Sequence, residues 1–285
     1  MKVFKYVSVL IIMILCPIRA TEQGDELVTT EHAAKTTSTY LSRKAFWDNP
    51  YLRQASATVL ELEGTEVLFD KTIAYHFSGG QESDKATVNG IPILNSRMDG
   101  FNIRYTLPSE HGLSIGDKVV MEIDWDRRNK LMRYHMLCEL VLAITNRHFG
   151  NIPNDVELRP EQIDKVGIVK VMARMTDSSA YVDFDHPNLS THLSTIQEEL
   201  NRIIDADLPI EKGYLNEEQQ ERYWRIPGLA LIPCGGTHVR STGEVGRAIL
   251  KREKTNSKVT QTHKAERLKI KLASETSTHP GVVEQ

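Results

Sequence analysis

Two stretches of this chain carry residue types and spacings that could hold a metal ion. The first is Pro233-Cys234-Gly235-Gly236-Thr237-His238-Val239. It follows the apolar run Leu229-Ala230-Leu231-Ile232, which reads as a buried strand stopped by proline. Two adjacent glycines disfavour a helix, so Cys234 and His238 are expected on a tight loop. A thiolate and an imidazole on such a loop supply half of a tetrahedral site for a borderline-soft ion such as zinc. The second stretch runs from Asp124 to Leu140 and continues apolar through Val141 and Ile144 without glycine or proline. That pattern predicts a partly buried helix reaching Arg147 or His148. On it His135 and Glu139 are four residues apart and share a face, so both could converge on one ion. Cys138, three residues from His135, offers a rival donor.

In combination the two stretches resemble one family. Ile123-Asp124-Trp125 through Arg133, followed by Cys234-Gly235-Gly236-Thr237-His238-Val239, looks like the editing domain of alanyl-tRNA synthetase and its free-standing AlaX-type relatives. The likeness begins near Ser42 and runs to about Leu272, some four-fifths of the chain. One position departs: the family's second helix histidine is Glu139 here, and a carboxylate is an acceptable zinc ligand. The resemblance implies one Zn²⁺ held by His135, Glu139, Cys234 and His238. It also implies metal-dependent hydrolysis, in trans, of a serine or glycine ester wrongly attached to an alanine tRNA. If Glu139 is not a ligand, it is the candidate general base. Ser78-Gly79-Gly80-Gln81 resembles the family's glycine-rich segment, making these four residues and Thr237 the expected substrate contacts. Gln81, both donor and acceptor, is a further catalytic candidate. A family threonine that recognises the wrong amino acid is replaced by Phe77, with Ser78 beside it. Two other readings fit the same residues: a non-catalytic zinc- and RNA-binding relative, or an exported metal-dependent esterase. No stretch reads as an aminoacylation module.

The elements that must position these residues predict an α+β chain. Alternating or apolar runs at 57–62, 66–69, 72–77, 91–94, 101–105 and 119–123 predict a small β-barrel-like domain over residues 43–120. Pro92 confines its run to an edge or a strand start. Residues 121–272 are expected to form a two-layer editing domain with an antiparallel sheet and long helices. Its strands fall near 168–175, 180–184, 245–251 and 268–272, and an amphipathic helix spans Leu193 to Ala206.

The net charge of −3 gives no global basic signal for nucleic acid. Local signals exist: Arg247 to Leu272 holds nine Lys/Arg against two Glu. Lys251 and Arg252 there, with Arg127, Arg128 and Arg133 before the metal-site helix, are the candidate contacts to a tRNA acceptor end. Residues 1–20 have the layout of a secretory signal peptide, with Lys2 and Lys5 before an apolar stretch but a poor cleavage site. The expected tRNA substrate places the protein in the cytoplasm; export through residues 1–20 is the alternative. Residues 21–42 and 273–285 read as disordered. No stable membrane association is expected, and the oligomeric state is open.

Overall fold

The computed structural model describes residues 42–153, 155–161, 170–186, 188–255 and 265–273, all within one compact unit. The leader, most of the expected linker, the hairpin tip at 256–264 and the C-terminal tail lie outside the described residues.

The first half is a curled antiparallel sheet of seven strands in the order β6-β5-β9-β2-β3-β8-β7. These are β2 (Gln54–Glu63), β3 (Glu66–Phe69), β5 (Ala86–Val88), β6 (Ile91–Pro92), β7 (Asn95–Asp99), β8 (Asn102–Thr106) and β9 (Lys118–Ile123). The curl comes from β2, which serves two neighbours in succession. Its first half pairs with β9, from Gln54↔Glu122 to Thr58↔Lys118, and its second half with β3, from Val59↔Phe69 to Glu63↔Glu66. Alternate residues therefore line one concave face, and Ala57, Val59, Val67, Phe69, Ile103, Tyr105, Val119 and Met121 form its core. Pro92 lies in the edge strand β6, where its missing N–H breaks no ladder.

The strand expected over 72–77 is corrected. Only Lys71–Thr72 (β4) is paired, parallel to Arg43–Lys44 (β1), just before the short helix α1 (Ala45–Asp48). Beyond it, side chains take the backbone groups that a ladder would use. The Arg128 guanidinium donates to the Ile73 carbonyl at 2.6 Å, and the Tyr75 amide donates to the Asp84 carboxylate at 2.6 Å.

The second half is built on helix α2 (Trp125–Phe149), whose start is fixed by Asp124 accepting the Arg127 amide at 3.0 Å. Almost every residue from Leu131 to Arg147 is buried, so α2 is a core helix enclosed on all sides. It packs with the amphipathic α3 (Leu193–Asp205) on the sheet β10-β11-β16-β15. Those strands are β10 (Lys170–Met175), β11 (Ala180–Phe184), β15 (Ala248–Glu253) and β16 (Glu266–Leu272). A separate meander of β12 (Glu211–Asn216), β13 (Glu221–Ile226) and β14 (Ala230–Pro233) ends at the Cys234 loop. Trp125 packs against both hydrophobic cores, at the joint where the curled sheet hands over to α2.

Candidate metal centre

Two elements meet at the centre. One turn of α2 presents His135 and Glu139, at 2% and 6% exposure, and the loop after β14 presents Cys234 and His238. The loop is held at both shoulders: the Cys234 amide donates to the Arg222 carbonyl at 2.8 Å, and Trp47 Nε1 donates to the Gly235 carbonyl at 2.7 Å. Next to them, Gly236 has no room for a side chain. A Cβ there would stand 1.9 Å from His135 Cε1. The second glycine is thus required by the histidine ring packed on it, beyond any demand of the turn.

The donor atoms of His135, Cys234 and His238 all lie within 4.8 Å of one another. Cys234 Sγ is 3.3 Å from His135 Nε2, and the two imidazole rings are centred 4.8 Å apart. His238 Nε2 is fully buried and has no hydrogen-bond partner among the described residues. An orphaned buried nitrogen is costly unless it binds something, and a thiolate with two imidazoles is a zinc donor set. The residues therefore fit the ion.

Gln81 decides which His135 nitrogen faces that space. Its Oε1 lies 2.6 Å from His135 Nδ1, and an amide oxygen can only accept, so Nδ1 carries a proton and Nε2 is the nitrogen left for an ion. The same oxygen accepts the Thr237 amide at 3.2 Å, while Gln81 Nε2 donates to Thr237 Oγ1 at 2.8 Å. Gln81 is wholly buried and Thr237 nearly so. In this structure the two side chains, expected as substrate contacts, bond to each other, and Gln81 also bonds to His135.

Glu139 borders two members of the triple. Its Oε1 is 3.4 Å from His135 Nε2 and 3.8 Å from Cys234 Sγ, and its Oε2 accepts from Trp224 Nε1 at 3.2 Å. Burial alone would depress the His135 pKa, but the Cys234 and Glu139 charges push it up to about 10. Burial, reinforced by His135, holds His238 well below its ordinary value. Cys138 belongs to the apolar core around α2 and is outside the donor triple.

The glycine-rich segment forms a tight turn, closed by Ser78 and Gln81 exchanging backbone hydrogen bonds at 3.0 and 3.2 Å. Ser78 and Gly79 are exposed. Gly80 answers to packing, since a Cβ there would stand 2.1 Å from the Ala173 carbonyl oxygen. Ser78, Tyr75, Phe46, Trp47 and Gly235 line a cavity of about 210 Å³ against the metal loop.

The arginines divide. Arg128 is wholly buried; it pairs with Asp84 and donates to the Pro50 and Ile73 carbonyls, which leaves it no surface for a phosphate. The expected RNA contact at Arg128 is therefore withdrawn. Arg127 is largely covered and bridges Glu82 and Asp177, and Arg133 donates to the Val245 carbonyl. Lys251 and Arg252 are exposed on β15, with Arg252 3.5 Å from Glu266. Sequence reasoning missed Trp47, Trp224 and Arg222, which shape the centre. Only the aromatic pair Phe46-Trp47 gave a local hint.

Comparison with known proteins agrees with this construction. Residues 224–261, which span β14 and the Cys234 loop, match the family model described as the threonyl and alanyl tRNA synthetase second additional domain. Alanyl-tRNA editing protein AlaX-M of Pyrococcus horikoshii is 30% identical over 208 residues, covering 72% of this chain and 88% of that protein. AlaX-M of Saccharolobus solfataricus is 26% identical, over 74% of this chain and 92% of that one. The alanine–tRNA ligase of Staphylothermus marinus is 32% identical over 82% of this chain, yet only 26% of the ligase is matched. The chain belongs to the family of AlaX-type alanyl-tRNA editing proteins.

Proposed function

We propose that this chain is an aminoacyl-tRNA deacylase that edits mischarged tRNA in trans, with zinc held by His135, Cys234 and His238. The observation that carries the metal is the buried, unpartnered His238 Nε2 beside His135 and Cys234. The relatives named alanyl-tRNA editing proteins carry the substrate class.

The reaction adds water across the ester between an amino acid and the tRNA terminal ribose, giving a free carboxylate and a free ribose hydroxyl. A bound zinc ion would supply Lewis acidity, polarising the ester carbonyl or a water molecule. The protein's own groups do the rest. Gln81 holds His135 in the tautomer that offers Nε2. Trp224 Nε1 holds Glu139 Oε2, leaving Oε1 at the centre as the atom that takes the proton of the attacking water. As a fourth ligand instead, Glu139 would with Cys234 make the site formally neutral, a weaker Lewis acid than a site with a third histidine. Burial of the centre excludes bulk water from the ester.

Serine and glycine remain the proposed amino acids. Phe77, 48% exposed, stands where the family has a hydroxyl, so Ser78 on the cavity wall is the residue left to meet a serine side chain. Lys251 and Arg252 are proposed phosphate contacts for the RNA. Charged tRNA is a cytoplasmic substrate, so the working site is proposed to be cytoplasmic.

The test is deacylation of a panel of mischarged tRNAs by the purified protein, with and without chelator. Hydrolysis that chelator abolishes and zinc restores is expected; hydrolysis indifferent to chelator refutes the metal. Glu139→Ala separates the two roles. Loss of zinc makes Glu139 a ligand, and full zinc with lost turnover makes it the base.

A further inference from the structure

Another cavity lies at the far end of α2. Its volume is about 300 Å³, the bottom of the range for small-ligand pockets, and it sits where the last turns of α2 meet the first turns of α3. Arg147 on its wall is twelve residues beyond His135 on the same helix, about 18 Å along the axis, so this cavity is separate from the metal centre. Ile144, Ile152 and Ile196 give it an apolar lining. The two helices are joined beside it by His148 Nε2 and His192 Nδ1, 3.1 Å apart.

Two charges of opposite sign line the same space. Arg147 is 6% exposed, and its guanidinium donates to neutral acceptors, the Pro153 carbonyl at 2.7 Å and the Leu229 carbonyl. No carboxylate of the described residues comes within ion-pair distance of it, and burial lowers its pKa. A buried cation without an anion is costly, and a guanidinium has donors beyond the two used here. Glu199 on α3 is the carboxylate whose charge acts most strongly on Arg147. Its own partner is Arg202 at 2.5 Å, a 67% exposed side chain on the same helix, so that pair is a weak surface one. The Glu199 carboxylate keeps acceptor sites for a second cation.

We propose that this cavity binds a free aliphatic α-amino acid, its carboxylate on Arg147, its ammonium on Glu199 and its side chain on the isoleucines. A simple anion would meet Glu199 as a like charge, and an uncharged apolar ligand would leave Arg147 without an anion. A zwitterion answers both, and the apolar lining selects a hydrocarbon side chain over a polar one. The site is independent of the deacylase reading, because every readout that tests it is binding and none is turnover.

The probe is L-leucine, titrated calorimetrically into the full chain loaded with zinc. Two analogues each lack one charge: 4-methylpentanoate has no ammonium, and 3-methylbutylamine has no carboxylate. Each is expected to bind roughly ten- to a hundredfold more weakly than leucine, the effect of one lost hydrogen bond to a charged group. Glu199→Gln should weaken leucine by a similar factor and leave 4-methylpentanoate unchanged. Arg147→Met should weaken leucine and 4-methylpentanoate and leave 3-methylbutylamine unchanged. Thr195→Trp sets an indole at an exposed position of the cavity wall and should abolish binding of all three with an unchanged melting temperature. If Arg147→Met does not fold, the two α3 variants decide alone, since neither touches the Arg147 hydrogen bonds. Equal affinity for leucine and its analogues overturns the site, as does no binding at millimolar leucine. Leucine binding that survives both Glu199→Gln and Thr195→Trp also overturns it, and places the amino acid at the metal ion instead.

Discussion

Replacing Gln81 with leucine removes the acceptor that fixes His135 and leaves the zinc donors untouched. Three buried groups lose their partner together: His135 Nδ1, the Thr237 amide and Thr237 Oγ1, now at 2.6, 3.2 and 2.8 Å from the carboxamide. A stranded buried polar group costs ~1–3 kcal/mol, and neighbouring losses do not add fully, so the metal-free variant should lose about 3–5 kcal/mol of stability. Without its Nδ1 partner, His135 is free to rotate and to change tautomer. Zinc affinity should therefore fall about 10–100-fold, the usual effect of removing the group behind a ligating histidine. Gln81→Glu should preserve affinity, because a carboxylate accepts from Nδ1 and the Thr237 hydroxyl can turn to donate to it. The assay is competition for zinc against a chromophoric chelator, with circular dichroism confirming that each variant is folded. If Gln81→Leu binds zinc as the wild type does, or Gln81→Glu falls as far as Gln81→Leu, the positioning role is refuted.

Gly236→Ala places a methyl group where His135 Cε1 stands, so one of the two must move. A stability loss of about 1–3 kcal/mol with weakened zinc binding is expected, and normal zinc binding in this variant refutes the geometry. Arg128→Met leaves the Asp84 carboxylate buried without its cation. Denaturant unfolding should show a loss of about 3–5 kcal/mol, while the folded variant binds tRNA as before; weakened tRNA binding with normal stability would restore Arg128 to the RNA surface. Burial lowers the Lys44 pKa from 10.5 to about 8. The unfolded chain therefore binds this proton more tightly than the folded one. Lys44 costs the fold stability below pH 8, and the cost fades as pH rises from about 8 through 10.5. Lys44→Met should be the more stable protein relative to wild type at neutral pH, with the difference shrinking across that window; a pH-independent difference contradicts it.

The parts of this protein legible in sequence are those set by backbone geometry over a few residues. His135 and Glu139 share a face because four residues make just over one helical turn, and the structure brings both to the centre. Proline and paired glycines fixed the loop after β14, and the strands at 66–69, 102–106 and 118–123 follow from apolar alternation. The strand expected at 72–77 failed because its partners are side chains, Arg128 and Asp84, which no periodicity encodes. The hairpin β12-β13 was missed because its residues are largely polar and only Arg222, Trp224 and Ile226 are buried.

The choice among neighbouring residues of like chemistry was left to the tertiary structure. Sequence placed Arg127 and Arg128 together, but only the fold buries Arg128 on Asp84 while Arg127 bridges Glu82 and Asp177. Cys138 and His135 both looked able to reach one ion. Because α2 is buried on all sides, polarity along it does not mark which face meets the Cys234 loop. Gln81, 54 residues before His135, became its partner because the turn that carries it packs on Met175 of the neighbouring sheet. Local sequence sets the direction in which a side chain leaves the backbone. The long-range packing of a curled sheet, a core helix and a meander decides what that side chain meets.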